Sequence, residues 1–191
     1  MRSVFVQAMH DAHVLLQQFM TDPHALDALA TIATELALTL TQGRKALVCG
    51  NGGSMADAVH FAEEWTGRFR ADRRPLGVLA LSDAAAISCI ANDYGFEHVF
   101  SRQVEALGND GDLLFVLSTS GMSQNLVRAA KAGKVRAMKV IGFLGRDGGE
   151  LLSLCDVAVV APGATSDRIQ ELHMLALHAL IEAVEKELGV N

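Results

Sequence analysis

The sequence of 191 residues lacks the features that mark several large classes of protein. No stretch approaches the roughly 18 uninterrupted apolar residues that a membrane-spanning helix needs. Residues 1–13 show no basic segment followed by an apolar one, so we expect no secretory leader. The net charge is −6 and the basic residues form no long run, so we expect neither a nucleic acid nor a membrane as partner.

Cysteine is also scarce, and its placement argues against a disulfide framework. Cys49, Cys89 and Cys155 are odd in number, widely spaced, and each within an apolar stretch. This pattern predicts reduced core thiols in a cytoplasmic protein. A thiolate nucleophile at Cys49 is the weaker interpretation, because no activating partner lies near it in the sequence.

About half of the residues are apolar, and they fall into alternating segments that predict one α/β domain over residues 1–191. Short apolar runs predict strands at Ala46–Cys49, Val78–Leu81, Leu113–Leu117, Val140–Leu144 and Val157–Val160. Amphipathic stretches predict helices at 54–68, at 83–107 with a break near 93–95, at 123–136, and from about 166 to 188. This alternation implies a five-stranded parallel sheet in a three-layer sandwich, with the ligand crevice beyond the carboxyl ends of the strands.

Residues 1–41 precede this core of 42–191 and predict an N-terminal helical pair. Apolar residues recur at helical spacing over 4–20 and 25–40, and Asp22-Pro23 fits a break between the two helices. The pair carries more apolar surface than packing on one sheet needs. We therefore expect it to serve oligomerisation.

The segment Leu117–Ser123 runs from a predicted strand through a hydroxyl-rich turn into a predicted helix. Side-chain hydroxyls and the unpaired N–H groups of a helix's first turn can together bind a phosphate, which the helix dipole also favours. Serine and threonine are equally ordinary helix caps, so capping stays open as an alternative.

A second loop, Cys49–Ser54, also follows a predicted strand and contains three glycines. Glycines let the backbone turn sharply and approach a ligand closely. The loop has neither the GxGxxG spacing of a dinucleotide site, since residue 55 is Met, nor the GK[ST] of a P-loop. Asn51 and Ser54 suit a sugar phosphate better than a nucleotide cofactor.

The helix after this loop carries His60 and Glu64, four residues apart and therefore on one face. Such a pair is often only an ion pair. Gln170 and His178 on the last helix lie about 80° apart around its axis and can face the same target, whereas His173 lies opposite and is interpreted as structural. Two nitrogens, a carboxylate and an amide oxygen form a plausible set for zinc.

These motifs together resemble the phosphoheptose isomerases, which have the sugar isomerase (SIS) fold, over nearly the whole chain and in the same order and spacing. The motifs are Cys49–Ser54, His60–Glu64, Thr66–Arg68, Ala91–Phe96, Ser118–Gly121 and Asp167–Glu171. The resemblance implies a homotetramer with active sites at subunit contacts. It also implies conversion of sedoheptulose 7-phosphate to D-glycero-D-manno-heptose 7-phosphate, a precursor of bacterial lipopolysaccharide.

The resemblance also implies roles for individual residues. It makes Glu64 the general base, His178 its acid partner, and His60, Glu64, Gln170 and His178 the ligands of one zinc ion per subunit. The residues implied in substrate binding are Asn51, Gly52, Gly53, Ser54, Glu64, Arg68, Asn92, Asp93, Ser118, Thr119, Ser120, Ser123, Asp167 and Gln170. Within this set, Ser118, Thr119, Ser120 and Ser123 would hold the phosphate. Met55 departs from the pattern, and contacts from 161–166 stay open.

Two other functions fit the sequence less well than isomerisation. A related SIS protein binds the bacterial replication initiator without catalysis, but it lacks the glutamate and the last histidine that Glu64 and His178 match here. An aldolase would need a Schiff-base lysine, and Lys45 and Lys139 lie at predicted strand starts, away from the crevice. A carboxylate that moves a proton between carbons and an imidazole that serves the oxygens suit a ketose–aldose isomerase.

Overall fold

The computed structural model describes residues 1–190 and contains one sheet of five parallel strands in the order β2-β1-β3-β4-β5. The strands are β1 (Ala46–Gly50), β2 (Val78–Ala80), β3 (Leu113–Ser118), β4 (Lys139–Gly145) and β5 (Val157–Ala161). All five lie within one residue of the predicted ends. The α/β class with a five-stranded parallel sheet is therefore confirmed.

The helices are α1 (Arg2–Met20), α2 (Pro23–Thr41), α3 (Gly53–Thr66), α4 (Ala84–Tyr94), α5 (Ser101–Leu107), α6 (Gln124–Val135), α7 (Gly149–Leu152) and α8 (Ser166–Glu187). The predicted helical stretch 83–107 is broken at Gly95, whose φ of +95° cannot continue a helix. A short 3-10 turn, Phe96–His98, follows before α5. Helix α7 was not predicted, because four residues give no periodicity to detect.

Two apolar layers cover the sheet, one on each face. Alternate strand residues such as Val48, Phe115 and Phe143 pack with α1, α2, α3 and α8, whereas Leu47, Val116 and Val140 pack with α4 to α7. Strands β1, β3 and β4 are buried almost throughout, which explains their continuous apolar runs. The three-layer sandwich follows from this two-sided burial.

The strand order places a topological switch point between β1 and β3. These strands are neighbours, but α3 after β1 and α6 after β3 lie on opposite faces of the sheet. The two loops that follow the strands therefore diverge and leave a crevice beyond Gly50 and Ser118. Both loops that the sequence marks as ligand-binding lie at this position.

The second helix of the N-terminal pair begins at Asp22-Pro23, as the sequence predicts. The Asp22 side chain accepts a hydrogen bond of 2.9 Å from His24 N, and Pro23 occupies the first helical position of α2. Phe19 is the buried residue of α1, whereas Phe5 and Met9 are 63% and 71% exposed. Use of residues 1–41 in oligomerisation stays a prediction, and this bare apolar face is what motivates it.

The cysteines differ from the prediction in one respect. Cys49 is buried, Cys155 is half-buried, but Cys89 is exposed on α4, so it is not a core thiol. The apolar residues around Cys89 misled the interpretation, because α4 turns this face to solvent. Burial raises the pKa of the Cys49 thiol far above its ordinary value, which argues against a nucleophile there.

Across residues 1–190, the helices are too short or too polar for any of them to cross a membrane.

Candidate active site

A cavity of about 300 Å³ lies at the switch point between β1 and β3. Its lining residues come from both predicted loops and from the start of α8: Asn51, Gly52, Gly53, Ser54, Leu117, Ser118, Thr119, Ser120, Ser123, Leu126, Ser166 and Gln170. Among the described residues, no charged side chain lines it. An anion held here is therefore bound by hydroxyls and backbone N–H groups.

The hydroxyl-rich turn is folded by its own side chains. Ser118 Oγ accepts a hydrogen bond of 3.0 Å from Gly121 N, and Ser120 Oγ accepts one of 3.3 Å from Met122 N. A hydroxyl that accepts keeps its own proton, so both can still donate to an anion. Ser123 precedes α6, yet its side chain makes no capping bond. The capping alternative therefore does not describe Ser123, whose hydroxyl faces the cavity.

The N-termini of three helices meet at this cavity. Helix α3 begins at Gly53, α6 begins after Ser123, and α8 begins at Ser166. Thr119 Oγ1 and Ser166 Oγ lie 3.0 Å apart and join the turn to α8. Aligned helix dipoles give the cavity a positive potential without a basic side chain. Ser166 belongs to the segment 161–166 that the sequence left open.

The glycine loop brings α3 close to α8. Gly52 has a φ of +55°, which favours glycine, and it precedes the first turn of α3. A Cβ on Gly53 would lie 2.6 Å from Gln170 Oε1, so a larger residue would displace that side chain. The structure thus places Gln170, expected as substrate and metal ligand, at the cavity wall.

Asn51 also has a partner within the chain that the sequence did not predict. Its Nδ2 donates to Asn125 Oδ1 at 2.9 Å, and Asn125 Nδ2 donates back to Asn51 Oδ1 at 2.8 Å. Asn125 is 3% exposed and lies in the first turn of α6. The amide pair joins the two loops of the site, and it leaves Asn51 one N–H for a ligand. The sequence interpretation missed Asn125, since only its polarity within a buried helical face marks it.

Glu64 and His178, the candidate base and acid, lie in one cluster with His60. His60 Nε2 lies 3.3 Å from Glu64 Oε1, and the rings of His60 and His178 lie edge to face with centroids 5.0 Å apart. The Glu64 side chain is 13% exposed and that of His60 is 45% exposed. Phe69 stacks on His178 at 5.8 Å and fixes its ring. Two helices distant in sequence therefore deliver a carboxylate and an imidazole to one place.

The donor set of this cluster fits a divalent metal. One ligand atom from each of His60, Glu64 and His178 lies within 4.8 Å of the other two. Imidazole nitrogens and a carboxylate oxygen are ligands that zinc prefers. Gln170 precedes His178 by eight residues on α8, or about 12 Å along the axis at 1.5 Å per residue.

Asp57 lies one helical turn before His60, and the sequence interpretation missed it. Its Oδ2 is buried without a hydrogen-bond partner among the described residues. Burial raises the pKa of this carboxyl to about 6, and the nearby His60 opposes that rise. Its spacing of three residues from His60 on a half-buried face is the signal that could have marked it.

Besides Glu64, four residues implied in substrate binding lie away from the cavity of this single chain. Arg68 is exposed after the end of α3, and Asn92 and Asp93 are exposed on α4, where they hydrogen-bond to each other at 2.7 Å. Asp167 lines a separate groove of about 1020 Å³ between α1 and the start of α8. Their roles in substrate binding stay predictions.

His173 and the two lysines lie where the sequence placed them. His173 is fully buried, and its Nε2 lies 2.9 Å from Leu144 O, so it is structural. Burial lowers the pKa of His173 to about 4, and the hydrogen bond to Leu144 opposes this. Lys45 pairs with Asp112 and Lys139 pairs with Glu35 at the amino ends of the strands. Neither lysine can form a Schiff base in the crevice.

Comparison with known proteins identifies the class to which this fold and site belong. The family model described as SIS domain matches residues 9–145. The phosphoheptose isomerase of Fusobacterium nucleatum is 48% identical over 172 residues, covering 90% of this chain and 89% of that protein. The phosphoheptose isomerase of Vibrio cholerae is 46% identical over 180 residues, covering 94% of each.

Solved structures agree with these sequence matches. Phosphoheptose isomerase from Neisseria gonorrhoeae superposes with a TM-score of 0.91 at 38% identity, covering 97% of this chain and 98% of that one. The enzyme from Francisella tularensis gives a TM-score of 0.91 at 33% identity, with coverage of 96% and 97%. The chain belongs to the phosphoheptose isomerase family of SIS-domain proteins.

Proposed function

We propose that this chain isomerises sedoheptulose 7-phosphate to D-glycero-D-manno-heptose 7-phosphate through an enediol. The observation that carries the proposal is the meeting of Glu64 and His178 on two helices that both start at the anion cavity. The cavity suits the phosphate, and the carboxylate and imidazole suit the reacting end of the sugar. Membership of the phosphoheptose isomerase family supports the same substrate.

The chemistry needs one base and one group that exchanges protons with oxygen. The Glu64 carboxylate removes a proton from carbon 1 of the ketose, which gives the enediol, and returns a proton to carbon 2. His178 moves a proton from the oxygen on carbon 1 to the oxygen on carbon 2. No atom is gained or lost, and the product carries its carbonyl on carbon 1.

The distance between the cavity and the cluster selects for a long substrate. Gln170 at the cavity and His178 at the cluster are separated by about 12 Å along α8. A molecule that reaches both must carry its phosphate several carbons from its carbonyl, as a heptose 7-phosphate does. Binding energy from the phosphate, which does not react, can then orient the carbonyl end of the substrate.

Zinc is the metal that the cluster suits best. His60, Glu64 and His178 would hold one ion per subunit, and the Gln170 side chain would have to extend along α8 towards them as the fourth ligand; a bound zinc ion would supply polarisation of an oxygen and stabilisation of negative charge. Metal analysis of the purified protein should find about one zinc per chain, and His60→Gln should lower that content. Protein purified with zinc available but without bound metal would remove zinc from the proposal.

The proposal also covers the assembly of the subunits and the location of the enzyme in the cell. The exposed apolar face of α1, and the distance of Arg68, Asn92, Asp93 and Asp167 from the cavity, support a homotetramer in which neighbours complete the site. A mass measurement in solution tests this, and a monomer would contradict it. Scarce cysteine without a disulfide framework supports a cytoplasmic enzyme, and its product would serve lipopolysaccharide synthesis.

The direct test is an assay of sedoheptulose 7-phosphate isomerisation with two variants that separate chemistry from binding. Glu64→Gln keeps the shape of the base but removes its proton affinity, so kcat should fall about 10²- to 10⁴-fold. Ser123→Ala should mainly raise KM, by about five-fold for one lost hydrogen bond to the phosphate, with little change in stability because Ser123 caps nothing.

Wild-type protein that leaves the sugar phosphate unchanged would overturn the proposed function. Full turnover by a folded Glu64→Gln variant would remove the assigned base. Circular dichroism of each variant shows whether the fold is retained.

A further inference from the structure

Helices α3 and α8, which carry Glu64 and His178, run side by side from the anion cavity and are connected at three levels. The first level is the close approach of Gly53 to Gln170, and the second is the contact of His60 with His178. The third level lies at the end of α3. Arg73, from the loop after α3, fills that position.

Glu64 needs support because it lies in the last turn of α3, which ends at Thr66. The final carbonyls of a helix have no partners within the helix, and such ends fray. Gly67 N donates to Glu63 O at 2.7 Å, which satisfies one of them. The carbonyls of Glu64 and Trp65 depend on groups from outside the helix.

Arg73 supplies those groups. Its Nη2 donates to Glu64 O at 2.7 Å, and its Nη1 donates to Trp65 O at 2.9 Å. The guanidinium also lies over the Trp65 ring, 5.3 Å from its centre. A cation at the carboxyl end of a helix is favoured by the helix dipole as well as by these bonds.

Glu185 holds Arg73 from the other helix. Arg73 Nε donates to Glu185 Oε1 at 2.6 Å, and the two side chains are only 3% and 8% exposed. Glu185 follows His178 by seven residues, or two turns, and therefore lies on the same face of α8. The guanidinium thus connects the backbone of the candidate base to the helix of the candidate acid.

We propose that Arg73, held by Glu185, is a positioning residue that sets the separation of Glu64 and His178. The inference rests on the proposed isomerase activity. Arg73 acts through the Glu64 backbone and need not touch the substrate. Loss of the guanidinium should therefore lower kcat and leave KM nearly unchanged, because the phosphate cavity at the other end of both helices is intact.

The same loop and helix contain a matched control. Arg70 pairs with Glu182 at 2.9 Å, but these side chains are 64% and 58% exposed. An exposed pair contributes little, whereas removing one partner of a buried pair leaves the other uncompensated. The two pairs join the same two elements with the same residue types and differ in burial and in the contact with Glu64. The Arg70 guanidinium also lies over the Phe69 ring, 4.9 Å from its centre, so Glu182→Gln is the cleaner of the two controls.

The experiment compares Arg73→Met, Arg73→Lys and Glu185→Gln with Arg70→Met and Glu182→Gln, measuring kcat, KM and Tm. We expect kcat to fall about 10- to 100-fold in Arg73→Met, because a small misplacement of catalytic groups costs that much. Arg73→Lys should recover part of it, since an ammonium cannot reach both carbonyls and Glu185 together. The Arg70 and Glu182 variants should keep the wild-type kcat.

A second control separates positioning from general stability. Asp112→Ala removes the buried carboxylate of another ion pair, at the opposite end of the sheet, and should lower Tm while keeping kcat. If Arg73→Met does not fold, Glu185→Gln carries the test, because it keeps the side-chain shape and one accepting oxygen. Folded Arg73→Met and Glu185→Gln with wild-type kcat would overturn the inference alone, whereas inactive wild-type protein would overturn the proposed function.

Discussion

The two ends of the central sheet are built in different ways. At the amino end, Asp112 is 2% exposed and accepts hydrogen bonds from Lys45 N and Asn109 N while pairing with the Lys45 ammonium. Asp156 likewise accepts from Val140 N at 2.7 Å and pairs with Lys134. These carboxylates have their charges and their lone pairs satisfied within the chain.

The carboxyl end presents polar groups that the chain satisfies only in part, since hydroxyls that accept from the backbone can still donate. Its cavity is lined by hydroxyls and by helix N-termini, with no charged side chain among the described residues, and Asp57 Oδ2 is buried without a partner there. Donors and acceptors that keep spare capacity at this edge of the sheet are available to a ligand. This difference indicates that the amino end of the sheet serves stability and the carboxyl end serves binding.

The largest effect on stability should come from the amino end. Asp112→Ala leaves the Lys45 ammonium and two backbone N–H groups without their partner, so we expect a loss of about 3 kcal/mol in the free energy of unfolding. Urea denaturation measures that loss, and initial rates on sedoheptulose 7-phosphate should remain at the wild-type level. A large drop in kcat for this folded variant would show that the two ends are not separable.

Acid should affect the carboxyl end through His173, by about 2 to 3 kcal/mol at most. Burial lowers the folded pKa of His173 from 6.5 to about 4, so the unfolded chain binds the extra proton first. The stabilisation from the neutral ring is complete above pH 6.5 and is lost as the pH falls towards 4. Unfolding free energies of wild type and of His173→Gln, measured from pH 7 to pH 4, test this.

The Gln variant cannot titrate, so its stability should fall less over that interval. Parallel curves for the two proteins would mean that His173 does not contribute. Because the comparison is between two proteins at each pH, contributions from the carboxyl groups and from the other histidines cancel.

The smallest of these effects should come from the amide pair between the two site loops. Asn125→Ala leaves both polar groups of Asn51 without partners, at a cost of about 1 to 2 kcal/mol in stability. It also frees the glycine loop from the hydroxyl-rich turn, so KM for the sugar phosphate should rise about ten-fold.

Asn109→Ala is the control at the amino end. Asn109 binds Asp112 through its backbone N–H, which the substitution retains, so both KM and stability should stay near wild type. An unchanged KM in Asn125→Ala would assign the amide pair to stability alone.

Much of the fold could be predicted from local pattern. The continuous apolar runs of β1, β3 and β4 predicted a sheet covered on both faces, and Asp22-Pro23 predicted the start of α2. The hydroxyl-rich turn and the glycine loop predicted the cavity, because parallel strands end at one edge of the sheet. The i, i+4 spacing of His60 and Glu64 predicted their contact, since it depends on one helix alone.

The remaining features of the site depend on hydrogen-bonded residues that lie far apart in the chain. Asn51 and Asn125 are 74 residues apart, Thr119 and Ser166 are 47 apart, and Arg73 and Glu185 are 112 apart. Local sequence around each of these polar residues is compatible with solvent exposure. Only the packing of helices on the sheet decides which polar groups meet, so sequence pattern left Asn125, Ser166 and Arg73 unassigned.

By itself, the sequence determined the strands, the main helices and the two loops, because backbone dihedrals, capping and apolar periodicity act over a few residues. Tertiary structure alone decided that Cys89 is exposed, that Asp57 is buried without a partner, and that Arg73 connects the ends of α3 and α8. Burial and partnership are properties of packed surfaces, and those surfaces exist only after the helices and the sheet have come together.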